Sequence, residues 1–254
     1  MSGKTLTCAA AAAALLLSPA LATAALADDG DNPTAQQLAD QAREGLRTAK
    51  SVHLNLTDKS AAASASKRVP TSIDLSLDQD ANCAGSMRMG ADGGSVKLIK
   101  RGADVWMKPD TEFWKAQIPG NQGSAVADLF NNRYIHGSTS DTLLIGMAGV
   151  CDLTAFQREA LSDSDHVPPL KKGAETTLDG TKVIPLTYPR EDGRTIMMYV
   201  TADSNHHLFR ATEKGEGADT ALTFTDYNKP VPSATPSADE SVDISELQSE
   251  LQKF

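Results

Sequence analysis

Apolar residues recur along this chain at two different spacings. Over residues 38–49 they follow one another at helical intervals, which predicts one amphipathic helix over residues 34–49. Over residues 52–107 they alternate with polar residues, as in antiparallel strands that bury one face. Helical spacing returns over residues 113–161, and alternation returns over residues 183–227.

The order is therefore helix, strands, helical block, strands and tail. Strands and helices that do not alternate one by one indicate an α+β protein with a curved antiparallel sheet and helices packed against its concave face. The Ala- and Ser-rich residues 61–66 are predicted to form a loop between strands. In the tail, residues 230–236 form an extended Pro-rich linker, and Ile244, Leu247 and Leu251 predict a short amphipathic helix.

The N-terminus is typical of a signal peptide over residues 1–27. Lys4 supplies the positive charge, residues 9–17 are uninterruptedly apolar, and residues 25–27 form a small-x-small cleavage site. The apolar run is short of the about 20 residues that a membrane-spanning helix needs. We therefore expect a secreted chain that begins near Asp28, and a retained N-terminal anchor is the alternative.

Cysteine positions agree with export. Cys8 precedes the apolar run, whereas a lipobox cysteine follows it, so we expect no lipid anchor. The two remaining cysteines, Cys83 and Cys151, form an even pair in an oxidising compartment, which predicts a disulfide. Two buried thiols or a redox site are the alternatives, and the absence of Cys-x-x-Cys argues against the redox site.

Composition limits the class of protein further. The chain has 254 residues, of which 40% are hydrophobic and 5% aromatic, which suits a domain with an aliphatic core. The predicted boundaries are one domain over residues 28–232 and a linker with a short helix over residues 233–254. The net charge of −9 argues against binding to nucleic acid or to anionic membranes.

Several strand patterns carry a family resemblance. Residues 96–108 read as two paired strands and are followed by Phe113 and Trp114. Downstream, residues 178–183, residues 222–227 and the Pro-Val-Pro exit at residues 230–232 continue the pattern. This arrangement resembles the LolA-like and LppX/LprG-like cell-envelope proteins of bacteria. The Ala- and Leu-rich leader is similar to those of actinobacteria.

The resemblance covers about residues 34–232 and implies a half-open antiparallel β-barrel around helices, with an apolar cavity for acyl chains. It implies a secreted, non-enzymatic carrier of a lipid or other hydrophobic ligand in the cell envelope. One alternative is a protein-binding or regulatory module of the same fold, in which residues 241–254 dock on an envelope protein. A hydrolase with an unmarked site is a third possibility. The missing lipobox and the added cysteine pair depart from the family pattern.

Apolar residues that would face each other across the sheet and the helices are the candidate ligand contacts. They are Leu98, Val105, Met107, Leu129, Phe130, Leu143, Met147, Phe156, Ile196 and Met198. The alternative is that these residues only fill a packed core. The predicted bridge between Cys83 and Cys151 would pin the helical block to the sheet and limit its opening.

No catalytic, metal or cofactor motif stands out in the sequence. His206 and His207 are adjacent, so on a strand they would point to opposite faces, and a solvated turn is the better interpretation. Asp165 and His166 form no recognised motif. Trp106 and Trp114 are either rim residues of a cavity or packing residues of a hairpin.

Overall fold

The computed structural model describes residues 32–118, 120–130, 132–160, 169–190 and 192–252. The predicted signal peptide, Cys8, Asp165 and His166 lie outside the described residues. The chain forms two compact units. Of the described residues, the first unit comprises those up to Ala49 and those within Ala155–Thr223, and the second comprises those within Lys50–Thr154 and those from Phe224 onward. The boundaries at residues 28–232 and 233–254 stay a prediction.

The described residues contain seven α-helices and two 3-10 helices. The α-helices are α1 (Ala35–Thr48), α2 (Ala61–Ser64), α3 (Thr111–Gln117), α4 (Gln122–Leu129), α5 (Ile145–Ala148), α6 (Leu153–Ala160) and α7 (Ile244–Leu251). The 3-10 helices are Gly149–Cys151 and Ala238–Glu240.

Thirteen strands are described. They are β1 (Ser51–Asp58), β2 (Pro70–Asp78), β3 (Cys83–Met89), β4 (Ser95–Arg101), β5 (Asp104–Pro109), β6 (Tyr134–Ser138), β7 (Lys171–Lys172), β8 (Thr176–Leu178), β9 (Thr181–Pro189), β10 (Thr195–Thr201), β11 (Leu208–Gly215), β12 (Ala218–Thr225) and β13 (Ser241–Asp243).

Helix α1 confirms the helix predicted from residues 34–49. Thr34 caps its first turn, because the Thr34 side chain accepts from the backbone of Gln37 while the Gln37 side chain accepts from the backbone of Thr34. Leu38, Ala42 and Leu46 are all 0% exposed, so the apolar stripe of the helix is completely buried. Within the first unit this stripe packs on β10 and β11.

In the first unit the strands follow the order β12, β11, β10, β9 and β7, all antiparallel, with β8 also on β9. Alternate residues of β10, from Ile196 to Val200, form its buried face. The buried side chain of Gln157 in α6 donates to the carbonyl oxygens of Leu46 and Ala49 at 2.8 and 2.9 Å. The first bond gives the Leu46 carbonyl a second donor beside the backbone N–H of Ala49, and the second bond gives a donor to the Ala49 carbonyl just beyond the end of α1.

In the second unit β1 to β6 form an antiparallel meander in chain order. Strand β6 lies inside the block predicted to be helical, so that part of the prediction was wrong. With one buried residue, Ile135, β6 is too short to show alternation in the sequence. The predicted loop at residues 61–66 is partly helical, because the Ser60 side chain accepts from the backbone N–H of Ala63 and starts α2.

The tail packs against the second unit. Strand β13 pairs with β6 in parallel and covers its edge. Val242, Ile244 and Leu247 are 4%, 5% and 1% exposed. The predicted C-terminal helix is therefore confirmed, and its apolar residues Ile244 and Leu247 are buried within their own unit.

Both units combine antiparallel strands on an open path with packed helices, which confirms the predicted α+β class. In the described part of the chain, no helix is both long and apolar enough to span a membrane.

Candidate functional site

Three predicted ligand contacts lie together on the apolar face of the second unit's sheet. Leu98 in β4 is opposite Met107 in β5, and Met107 is opposite Ile135 in β6. Val105 lies on the same face two residues before Met107. Leu98 and Val105 are 0% exposed and Met107 is 5% exposed. These side chains form one continuous apolar surface. Such a surface is required both by a packed core and by the floor of a ligand site.

The predicted contacts in the helical block have two different environments. Phe130, directly after α4, is 3% exposed, and Met147 in α5 is half-buried. Leu129 and Leu143 are 52% and 44% exposed, so they face solvent. An open groove of about 380 Å³ is lined by Leu129, Phe130, Arg133, Ser245, Glu246 and Ser249.

The other predicted contacts belong to the first unit. Ile196 and Met198 lie on the buried face of β10, where they are 1% and 2% exposed. Phe156 in α6 is half-buried. Their role as ligand contacts stays a prediction.

The predicted disulfide between Cys83 and Cys151 is confirmed. Cys83 begins β3, and Cys151 ends the 3-10 helix that follows α5. The two Cα atoms are 5.3 Å apart, and both residues are 0% exposed. Within the second unit, the bridge therefore joins the end of the α5 segment to the sheet.

Lys100 is a buried cation on the same apolar face, and the sequence interpretation missed it. It lies opposite Cys83 in β3 and Val105 in β5, and it is 7% exposed. Its ammonium donates a hydrogen bond to the carbonyl oxygen of Ala81 at 2.7 Å. The signal was present in the sequence, since period two places Lys100 on the same face as Leu98.

Glu213 in β11 is a buried carboxylate of the first unit, and it has an ion partner. It is 1% exposed, and its Oε1 lies 2.6 Å from Nη1 of Arg194, at an angle that makes an ion pair and no hydrogen bond. Arg194 also pairs with Asp192. Hydrogen bonds from the side chain and backbone of Arg194 lower the pKa of Asp192 to about 2.

A second open cavity, of about 480 Å³, has a polar lining at the ends of the first strands. Its lining includes Thr57, Lys59, Thr71, Arg88 and Asp110. Burial acts to raise the pKa of Asp110, but hydrogen bonds from Ser95 and from the backbone of Phe113 hold that pKa below its usual value. None of the predicted ligand contacts lines this cavity.

The two tryptophans have different environments, and one of them contacts a histidine. Trp106 stacks on His136 with ring centroids 4.7 Å apart, and Trp114 is 6% exposed in α3. His206 and His207 lie between β10 and β11, in the turn that the sequence predicted. In the described ranges, no three His, Cys, Asp or Glu side chains are placed to hold a metal ion.

Comparison with known proteins gives a match of structure and none of sequence. No model of a known protein family matches the chain, and no curated protein sequence does. The solved structure of LprF from Mycobacterium bovis matches at 13% identity with a TM-score of 0.50, covering 80% of this chain and 97% of LprF. Lipoprotein LppX from Mycobacterium tuberculosis matches at 19% identity with a TM-score of 0.46, covering 78% and 96%.

A LolA superfamily protein from Nitrosomonas europaea matches at 12% identity with a TM-score of 0.24, covering 79% of this chain and 96% of that one. At such identities the likeness concerns the fold alone. The match to LprF, together with the antiparallel strands and packed helices of the two units, shows that this chain has a fold like that of LprF.

Proposed function

We propose that the protein is a non-enzymatic carrier of a lipid or another hydrophobic ligand in the cell envelope. The observation that carries the proposal is the continuous apolar surface of Leu98, Val105 and Met107, in a fold shared with LprF. Each CH₂ group removed from water contributes about 0.8 kcal/mol, so an acyl chain of about ten such groups contributes about 8 kcal/mol. This is the free energy of micromolar binding.

The proposal also includes the predicted contacts on the helical block of the second unit, which are Leu129, Phe130, Leu143 and Met147. Phe156, Ile196 and Met198 belong to the first unit, and their role as ligand contacts stays a prediction. The disulfide bridge limits how far the α5 segment moves away from the sheet, since both of its ends are buried in the second unit. Ligand exchange then depends on motion of that segment.

The proposal also places the protein outside the cytoplasm of an actinobacterium. It is exported by the signal peptide over residues 1–27, and it carries no lipid anchor because Cys8 precedes the apolar run. The bridge between Cys83 and Cys151 supports an oxidising compartment.

Native mass spectrometry of the exported protein, after mild extraction, tests the carrier function. We expect a co-purifying lipid in the wild type and less of it in Met107→Trp, because the larger side chain occupies the ligand's space. Ile99→Trp, on the opposite and half-buried face of the sheet, is the matched control and should keep the lipid.

A packed core gives a different result. In that case Met107→Trp overfills the interior and lowers the free energy of unfolding by about 1–3 kcal/mol. Wild-type preparations would then contain no lipid, and added decan-1-ol would not bind. This combination would contradict the carrier proposal.

A further inference from the structure

The two buried charged side chains in the described part of the chain, Glu213 and Lys100, are compensated differently. Glu213 is 1% exposed and has a cation, Arg194, at 2.6 Å. Lys100 is 7% exposed, and in the described part of the chain no carboxylate oxygen lies within 4.0 Å of its ammonium. An ammonium has three N–H donors. In the described part of the chain, the Lys100 ammonium donates one hydrogen bond, to the neutral carbonyl of Ala81. A buried charge in this state is expensive unless an anion accompanies it.

The position of Lys100 makes its face amphipathic. Leu98 precedes it on the same side of β4, and Met107 and Val105 flank these two residues on β5. The Lys100 ammonium reaches the turn before β3, where it bonds Ala81. The apolar surface of the second unit therefore ends on a cation at one end of its strands.

Arg101 adds positive charge at the same strand end. Its Nη1 donates to the carbonyl oxygens of Cys83 at 3.1 Å and Lys100 at 2.7 Å. Its Nη2 is buried without a hydrogen-bond partner. Burial lowers the pKa of Arg101, and the charge of Asp78, which also accepts two hydrogen bonds from Asn82, acts in the opposite direction.

We propose that the Lys100 ammonium binds the anionic head group, a carboxylate or a phosphate, of an amphipathic ligand whose tail lies along Leu98 and Met107. The inference rests on the proposed carrier function and names its ligand class. The head group accepts charge-assisted hydrogen bonds from the unused N–H donors and compensates the buried charge. A neutral ligand leaves that charge without a counterion, so Lys100 selects against it.

Calorimetric titration of the delipidated protein with decanoate and with decan-1-ol tests the assignment. The two probes share the tail length and differ in head-group charge. We expect decanoate to bind the wild type about tenfold more tightly or better, as for a hydrogen bond to a charged group. Lys100→Gln should bring the ratio of the two affinities close to one, and Lys100→Arg should keep it.

Lys97→Gln is the matched control, since Lys97 is an exposed lysine on the opposite face of β4. It removes the same charge from the chain and should leave the ratio as in the wild type. Equal losses of decanoate affinity in Lys97→Gln and Lys100→Gln would reduce the effect to net charge and overturn the assignment. Should Lys100→Gln unfold, the wild-type ratio and Lys100→Arg still decide the question.

Three further results of the titration would each have a different meaning. Acetate and inorganic phosphate should bind at least a hundredfold more weakly than decanoate, and equal binding would make this a free-anion site and overturn the head-group role. If decan-1-ol binds as tightly as decanoate, the head-group role of Lys100 is refuted and the carrier function stands. Binding of neither probe refutes the carrier function and Lys100's role with it.

Discussion

Removal of the bridge between Cys83 and Cys151 should take away a large share of the protein's stability. The bridge spans a sequence separation of 68 residues. The chain-entropy relation assigns about 4.4 kcal/mol to closing a loop of that length. Single domains unfold with a total free energy of about 5–15 kcal/mol, so the expected loss is comparable with the whole margin of a marginally stable domain.

The double variant Cys83→Ala, Cys151→Ala is the appropriate perturbation. Both residues are 0% exposed, and serine would bury two hydroxyl groups and add an unrelated penalty. Urea unfolding followed by circular dichroism measures the loss, which we expect at about 4 kcal/mol. The melting temperature should fall by about 9–18 °C.

A local measurement separates the two roles of the bridge. If it pins the α5 segment, amide hydrogen exchange in Ile145–Ala148 and Gly149–Cys151 should rise more in the double variant than exchange in α1. Reductant alone should leave the native wild type unchanged, because the sulfur atoms are buried. An unchanged urea midpoint would refute the entropy estimate, and unchanged exchange in the segment would refute the pinning role.

Four substitutions test other contacts by urea unfolding. Leu247→Ala should cost about 2–5 kcal/mol, because Leu247 is 1% exposed, whereas Leu129→Ala, 52% exposed, should change stability by less than about 0.5 kcal/mol; equal effects would contradict the packed tail. Gln157→Ala should cost about 1–3 kcal/mol by removing two buried hydrogen bonds to the end of α1, and an effect below that range would show that water replaces the amide. The folded pKa of Asp192, about 2, lies below its usual 3.8, so its contribution is present above pH 4 and is lost towards pH 2. Asp192→Asn should therefore flatten the decline of stability over that range, and an unchanged decline would contradict the Arg194 pairing.

Local signals in the sequence were sufficient for much of the fold. The capping pair of Thr34 and Gln37 and the 3.6-residue recurrence of Leu38, Ala42 and Leu46 define α1 without any tertiary information. Period-two alternation located the longer strands of both units, because each of these strands buries one face, but it did not locate β6. The order of helices and strands then limits the class to α+β with an antiparallel sheet.

The cysteine pairing was also determined by the sequence. Outside the predicted leader the chain has two cysteines, which admit one connectivity, and the predicted export implies that they are oxidised. The sequence did not determine that the bridge is buried, because burial depends on which elements cover it. That Cys83 begins a strand and Cys151 ends a 3-10 helix is a tertiary fact.

Tertiary structure alone decided the features on which the candidate site depends. Strand β6 exists because its five residues complete hydrogen bonds with β5 on one side and β13 on the other, which no local pattern encodes. Leu129 and Leu143 are apolar residues at the same helical spacing as their buried neighbours. They nevertheless face solvent, because exposure depends on what packs over a helix. The sequence alone puts Lys100 on the apolar face, but the missing counterion is visible only once its neighbours are in place, since compensation of a charge is a property of distances in space.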